Sequence, residues 1–315
     1  TDYFPYHLGV FQGDPLSPFL FILVMDAVLR HLPYDAGALC DWRLILRLPG
    51  LAYADDVVLL ANTAPALHDL IARFEAEALT WGLRLNTAPG KTEVLTVPRV
   101  PNAATFTCAA GPIRTTDKYK YLGVVLGADR RSWKTDWSRR VGLAMASLGK
   151  FQTVWNSAVP RATKSALVHA LVTPILTYGA ITYPLSPAVR RTMHVAMSRI
   201  MRCALRLRTR WDAPSEHSHT EVVYAHTPFI HVTLTKSLLS AYGHWLRHGV
   251  RHAPAVPPIL LVAEGAWARQ DPAAAGFRAL LQSLIAPLEW EEFITSALAG
   301  GPAFARLVRA ACRRQ

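Results

Sequence analysis

Apolar residues follow two different periods along the chain, and the change between them divides it. The run Phe19 to Met25 is nearly unbroken and is preceded by Ser17, a good N-cap, and Pro18, which suits a first helical position. A helix is therefore predicted from about Pro18 to His31, ahead of Pro33. Arg43 to Leu48 and Leu51 to Ala61 predict two strands with Pro49-Gly50 as the turn between them, and the polar pair Asp55-Asp56 splits the second run into a hairpin. After Pro65, the residues Leu67, Leu70, Ile71, Phe74, Ala78 and Trp81 recur at helical spacing, with Gly82 placed as a C-terminal cap. Leu83 and Leu85 then alternate as in a strand, Pro89-Gly90 is a turn, and Thr92 to Val97 is β-rich. Thr105 to Thr116 predicts a hairpin about Ala110-Gly111-Pro112, and Tyr119 to Leu126 a single strand. This order implies an α+β layer, a largely antiparallel sheet with helices on one face.

From Ser132 onward the strand signals fade. Trp137, Val141, Ala144, Leu148 and Phe151 form one helical stripe, and Lys164 to Tyr178 forms a second with a kink at Pro174. In a third helix, Val189 to Arg208, Met193, Met197, Ile200 and Ala204 face one way while Arg190, Arg191, Arg199, Arg202, Arg206 and Arg208 supply a basic surface. Ala253 to Pro258 reads as a linker, and Phe277 to Ile285 and Phe304 to Cys312 as helices of an Ala-rich tail that carries no evident chemistry. The expected division is 1–130, 131–252 and 253–315.

Composition narrows the partners. At 315 residues and 51% hydrophobic content the chain can bury a core, while a formal net charge of +12 favours an anionic partner such as nucleic acid or an acidic surface. A membrane is the weaker option, because the longest apolar run ends at Asp26, far short of the ~20 residues needed to span a bilayer. Cys40, Cys108, Cys203 and Cys312 are widely separated, which suggests neither a zinc ribbon nor a disulfide scaffold and fits a reducing interior. His244, His248 and His252 have ligand spacing, but no Cys or acid joins them and a packed or solvated helix is preferred. Thr1 opens onto Asp2-Tyr3-Phe4, which reads like the middle of a longer sequence.

Three stretches carry candidate chemistry, each with a bland alternative. Two carboxylates ~4 Å apart repel by roughly 4 kcal/mol at an effective dielectric of about 20, so Asp55 and Asp56 either sit on a turn open to water or hold a divalent cation. The Gly9 to Pro18 loop leads into a helix N-terminus, where backbone N–H groups can receive a phosphate or a base edge, or merely form a capped turn. The arginines of the third helix either contact phosphates or line a solvated face.

Four motifs then stand in a diagnostic order: Phe11-Gln12-Gly13-Asp14-Pro15-Leu16-Ser17-Pro18; Tyr53-Ala54-Asp55-Asp56; Gly82-Leu83-Arg84-Leu85-Asn86 with Lys91-Thr92; and Tyr119-Lys120-Tyr121-Leu122-Gly123. Together they resemble the second half of the reverse transcriptase palm of non-LTR retrotransposons. Val159-Pro160, Lys164, Pro174 to Gly179 and Tyr242 to Arg247 resemble the helical thumb and following region of the same elements, so the likeness covers roughly residues 8 to 250.

The resemblance implies a partial polymerase palm followed by an all-helical thumb and a C-terminal helical extension. It assigns Asp55, with Asp56 beside it, to Mg2+, and places Tyr53 near the primer terminus. Gln12 and Gly13 would lie against the template and nascent base pair, and Lys91 would reach toward the triphosphate. Tyr121, Leu122 and Gly123 would form the primer grip. Apart from the resemblance, the helical stripe and the overall charge offer Arg191, Arg199, Arg202 and Arg206 as phosphate contacts. The implied partners are an RNA template, a DNA primer and deoxynucleoside triphosphates, in an intracellular, nuclear parent element.

Two departures stand out. Asn86 and Lys91 are separated by four residues where the family has two, and the family's further metal-binding Asp and its fingers lie upstream of the Gln-Gly loop, before this chain begins. The sequence therefore reads as part of an RNA-directed DNA polymerase that is inactive by itself. The alternatives are a non-catalytic nucleic-acid-binding remnant and the product of a decayed element.

Overall fold

The computed structural model describes residues 9, 11, 13–39, 47–97, 105–129, 132–180, 187–207, 220–252 and 272–313. Two compact units result, Thr1–Ser132 and Trp133–Gln315. The expected strand residues 43–46 and linker 253–258, together with Gln12 and Cys40, lie outside the described residues.

The first unit is mixed α and β. Helix α1 spans Ser17–Arg30. Ser17 does not cap it as expected: Ser17 is already helical, and its hydroxyl donates back to the Phe11 carbonyl at 2.7 Å. The turn into the helix is held instead by Asp14, whose Oδ1 accepts from the Leu16 N–H at 2.9 Å, an Asx-type turn that suits the following Pro15. Strands β1 (Ala38–Leu39) and β2 (Arg47–Leu48) pair with each other, and β3 (Gly50–Tyr53) pairs with β4 (Asp56–Leu59), both antiparallel. Gly50, expected in a turn, begins β3 and sits close against the Val58 carbonyl, where an added Cβ would come within 2.8 Å.

Helix α2, Ala64–Thr80, starts at Thr63, whose side chain accepts from the Ala66 N–H. It stops as its glycine predicts. Gly82 has φ +74, its N–H bonds the Leu79 carbonyl, and the Leu83 N–H bonds Ala78, the paired bonds of a Schellman ending. Leu83 and Leu85 follow without strand pairing, yet both pack at the edge of the core formed by Met25, Val28, Leu32, Phe74 and Ala78.

Beyond them lie β5 (Glu93–Leu95), β6 (Phe106–Cys108), β7 (Gly111–Thr116), β8 (Lys118–Tyr121) and β9 (Val124–Gly127). The expected, largely antiparallel sheet is divided among the described residues into several small ones: β5-β7-β6, in which β5 is parallel to β7, and three two-stranded antiparallel pairs. The expected strand Tyr119 to Leu126 is a hairpin, because Leu122 and Gly123, at φ +44 and +77, turn the chain back so that Tyr121 faces Val124. Ile71 of α2 meets Val94, Phe106 and Ile113 in a second small core.

The second unit is helical in its described residues: α3 (Ser132–Lys150), α4 (Gln152–Asn156), α5 (Arg161–Leu171), α6 (Thr173–Thr177), α7 (Pro187–Leu205), α8 (Thr220–Tyr224), α9 (Ile230–His252), α10 (Pro272–Ile285), α11 (Trp290–Ala299) and α12 (Gly301–Arg313). The predicted helix Lys164 to Tyr178 is broken at Val172, just ahead of Pro174, which gives α5 and α6.

One core runs through this unit, joining Trp137, Ala144, Val168, Leu176, Met193, Met197, Ile200, Leu238 and Tyr242 to Leu281, Phe293, Phe304 and Val308. Gly243 lets α12 close on α9, since an added Cβ would lie 2.4 Å from the Phe304 ring. The buried charged groups are paired. Asp136, fully buried, takes Arg140 at 2.7 Å, and Arg140 also donates to the Ile175 carbonyl and lies over the Tyr178 ring. The buried Lys164 ammonium donates to the Trp155 and Ser157 carbonyls, both at 2.8 Å. Lys164, Pro174 and Tyr178 thus have structural work that explains their presence. Among the described residues no helix is long and apolar enough to cross a membrane.

Candidate active site

Asp55 and Asp56 lie at the tip of the β3–β4 hairpin. Tyr53 pairs with Asp56, leaving Ala54 and Asp55 as a two-residue turn, and Ala54 takes a left-handed φ of +54. A non-glycine residue in that region costs about 1–2 kcal/mol, which the hairpin sustains because its other face is anchored. Val57 and Leu59 pack against the α1–α2 core, and strand alternation then aims Asp56 away from it. Asp55, Asp56 and Tyr53 are all exposed, Tyr53 at 68%.

Strand β8 stands beside this tip. Tyr119 and Tyr121 share one face of it by their spacing, and both phenols are pushed above their ordinary pKa, first by burial and then by the Asp56 carboxylate, with Glu93 adding to the effect at Tyr119. The Tyr119 hydroxyl donates to the Lys91 carbonyl at 2.7 Å. The four residues between Asn86 and Lys91 form a loop closed by local bonds: Asn86 Oδ1 accepts from Ala88, the Asn86 carbonyl from Thr92, and the Ala88 carbonyl from Lys91 itself. The Lys91 backbone thereby meets β8 through Tyr119, and its side chain is exposed.

The first unit thus brings together Asp56, Tyr121 and the Lys91 backbone, with Leu122 and Gly123 as the β8–β9 turn. Gly13 has φ +93 and open space around its Cβ position, so its backbone conformation calls for glycine and no close neighbour does. Gln12 lies outside the described residues. The arginines Arg191, Arg199, Arg202 and Arg206 belong to the second unit, on one stripe of α7 and beyond its end, with Arg202 half-buried near the Tyr224 hydroxyl and the other three exposed.

Tyr119 stands in the fourth motif without a role of its own, and Glu93 stands in none of the four. The i, i+2 spacing of Tyr119 and Tyr121 carried the signal for the first. The contact between β8 and the Lys91 loop spans 28 residues and left no local trace.

The donor set matches Mg2+ in kind. Mg2+ keeps several waters and is held by one or two carboxylates together with substrate phosphates, and Asp55 and Asp56 offer hard, accessible oxygens of that type. Among the described residues no cluster of three or more His, Cys, Asp or Glu could hold a metal by itself.

Residues 2–126 match the family described as reverse transcriptase (RNA-dependent DNA polymerase). The chain is 41% identical over 128 residues to a Pol polyprotein from the R2 retrotransposable element of Nasonia vitripennis, covering 37% of this chain and 12% of the relative. It is 37% identical over 131 residues to the corresponding R2DM polyprotein of Drosophila melanogaster, covering 39% and 12%. A transposon-derived protein of Caenorhabditis elegans is 27% identical over 161 residues, covering 49% and 56%. The chain spans about an eighth of the length of the two R2 polyproteins. Residues 2–126, nearly all of the first unit, thus match the reverse transcriptase family and are similar to part of the R2 retrotransposon polyproteins.

Proposed function

We propose that this chain contributes the carboxylate hairpin and the nucleic-acid grip of an RNA-directed DNA polymerase. The observation that carries the reading is the exposed Asp55-Asp56 tip beside Tyr119, Tyr121 and Lys91, within the segment that matches the family. In this reading Asp55 and Asp56 hold Mg2+ jointly with the phosphates of a deoxynucleoside triphosphate. Bound there, the ion would neutralise charge on the triphosphate and activate a primer hydroxyl. Tyr53 presents its ring beside the primer end, and the left-handed Leu122-Gly123 turn offers backbone to the primer strand. Lys91, fixed through its carbonyl, extends its ammonium toward phosphate. The second unit acts as a helical thumb whose Arg191, Arg199, Arg202 and Arg206 contact the backbone of an RNA template paired with a DNA primer.

Two experiments test this. Mn2+ standing in for Mg2+ should broaden the Tyr119 and Tyr121 ring resonances in the wild-type chain and leave them sharp in Asp55→Asn/Asp56→Asn; equal broadening in both would overturn the metal assignment. No primer extension is expected from residues 1–315 alone, because no third carboxylate stands with the pair among the described residues. Mg2+-dependent synthesis that vanishes in Asp55→Ala would refute that expectation.

The distribution of charge favours a second reading, nucleic-acid binding without catalysis. Residues 133–315 hold 22 Lys and Arg against 9 Asp and Glu, a net of +13, while residues 1–132 hold 12 against 13, a net of −1. Under this reading affinity falls steeply with salt and Asp55→Asn leaves it unchanged.

A further inference from the structure

We infer that the outer face of α12, carrying Arg306, Arg309 and Arg313, is a second phosphate-backbone contact surface, separate from the arginine stripe of α7. The helix lies in the Ala-rich tail, to which the sequence assigns no role. Its inner face is committed: Phe304, Val308 and Ala311 are buried in the core of the second unit, and Phe304 is held against α9 at Gly243. The orientation of the helix is therefore fixed. Arg306, Arg309 and Arg313, three and four residues apart, occupy the opposite stripe, and all three are exposed.

Several other arginines in this chain have defined internal or local partners. Arg140 is taken up by Asp136 and Arg247 by the Ala297 carbonyl, and on the first unit Arg30 and Arg73 pair with Asp26 and Asp69 one helical turn away. Among the described residues Arg306, Arg309 and Arg313 have no carboxylate within 4 Å. Glu292 lines a groove together with Arg306.

A row of guanidinium groups on a rigid helix fits a polyanion that accepts planar, forked donors, and phosphate diesters do so. Of the 22 basic residues in this unit 18 are Arg, the side chain suited to that contact. Helices of this amphipathic kind also bind anionic membranes, but they do so by inserting their apolar face. Here that face is buried in protein, so nucleic acid is the partner the arrangement favours.

The test uses the full chain and fluorescently labelled 20-mer duplexes, one DNA and one RNA–DNA hybrid, with anisotropy followed across a salt series. Each phosphate contact removed lowers the slope of log K against log salt by about 0.9. The variant Arg306→Gln/Arg309→Gln/Arg313→Gln should therefore lose up to ~2.7 from that slope, the all-Lys counterpart should keep most of it, and Glu292→Gln should tighten binding. The duplex that loses more slope is the one this face contacts. An unchanged slope in the Gln variant, with its circular dichroism intact, would overturn the inference. So would unaltered duplex binding accompanied by loss of binding to phosphatidylserine vesicles. Neutralising Arg191, Arg199, Arg202 and Arg206 in parallel separates the two surfaces: a slope lost only there removes the α12 contact and leaves the thumb reading standing.

Discussion

At the scale of single residues, side chains in both units derive their properties from neighbours distant in sequence. His194 on α7 is stacked against Tyr224 at 5.2 Å and meets Phe229 at a tilt at 5.5 Å, and Phe229 stacks in turn on His231. Burial, and then the nearby His231, hold its pKa below the ordinary 6.5. The Tyr224 hydroxyl, the Ser198 hydroxyl and, through Tyr224, Arg202 complete its polar surroundings. A base whose folded pKa is depressed binds protons more readily when unfolded, so stability rises with pH across the window below 6.5. The chain should accordingly lose urea resistance as pH falls through that window and level off once folded His194 is itself protonated. His194→Gln should flatten this part of the profile, and an unchanged pH dependence in the variant would count against the cluster as its source. Nothing in the local sequence announces this interaction, because His194 and Tyr224 are 30 residues apart.

Elements were legible where the punctuation was local. Thr63, Pro65 and Gly82 bound α2 almost as their chemistry requires, and Asp55-Asp56 marks a hairpin because two carboxylates interrupt an apolar run. The expectation failed where a turn uses a residue that avoids left-handed backbone. Leu122 at φ +44 gave no warning, so Tyr119 to Leu126 read as one strand. Pairing over distance was equally silent: the parallel contact of β5 with β7 depends on packing around Ile71 and Phe106, and no local period encodes it.

The β3–β4 hairpin carries the same kind of left-handed residue at Ala54. Ala54→Gly removes the steric penalty at φ +54, a gain of about 1–2 kcal/mol offset in part by glycine's greater freedom in the unfolded chain. The net effect should be neutral or slightly stabilising, whereas Ala54→Val should cost more than 1 kcal/mol by the same sterics. Denaturation midpoints in urea decide it, and a valine variant as stable as wild type would contradict the strained turn.

For the whole molecule, the uneven cores set an order of stability. Among the described residues, the first unit rests on two small clusters of five and four buried residues, while the second has one continuous core from Trp137 to Ala311. Hydrogen exchange should therefore leave amides of α7 and α9 protected after those of the β3–β4 hairpin have exchanged; equal protection would mean that the hairpin draws support from elsewhere. The reverse transcriptase signature sits wholly in the less consolidated unit.

That contrast meets the separation of charge, net −1 against +13, in an unexpected way. Long-range attraction acts on approach, before any specific contact forms, and raises the rate of encounter for the oppositely charged partner. A polyanion diffusing toward this chain is drawn to residues 133–315, while the carboxylates at Asp55 and Asp56 repel it. Under the proposed function, arrival and alignment are separated in time: capture by the helices comes first, and the hairpin receives a strand that is already held.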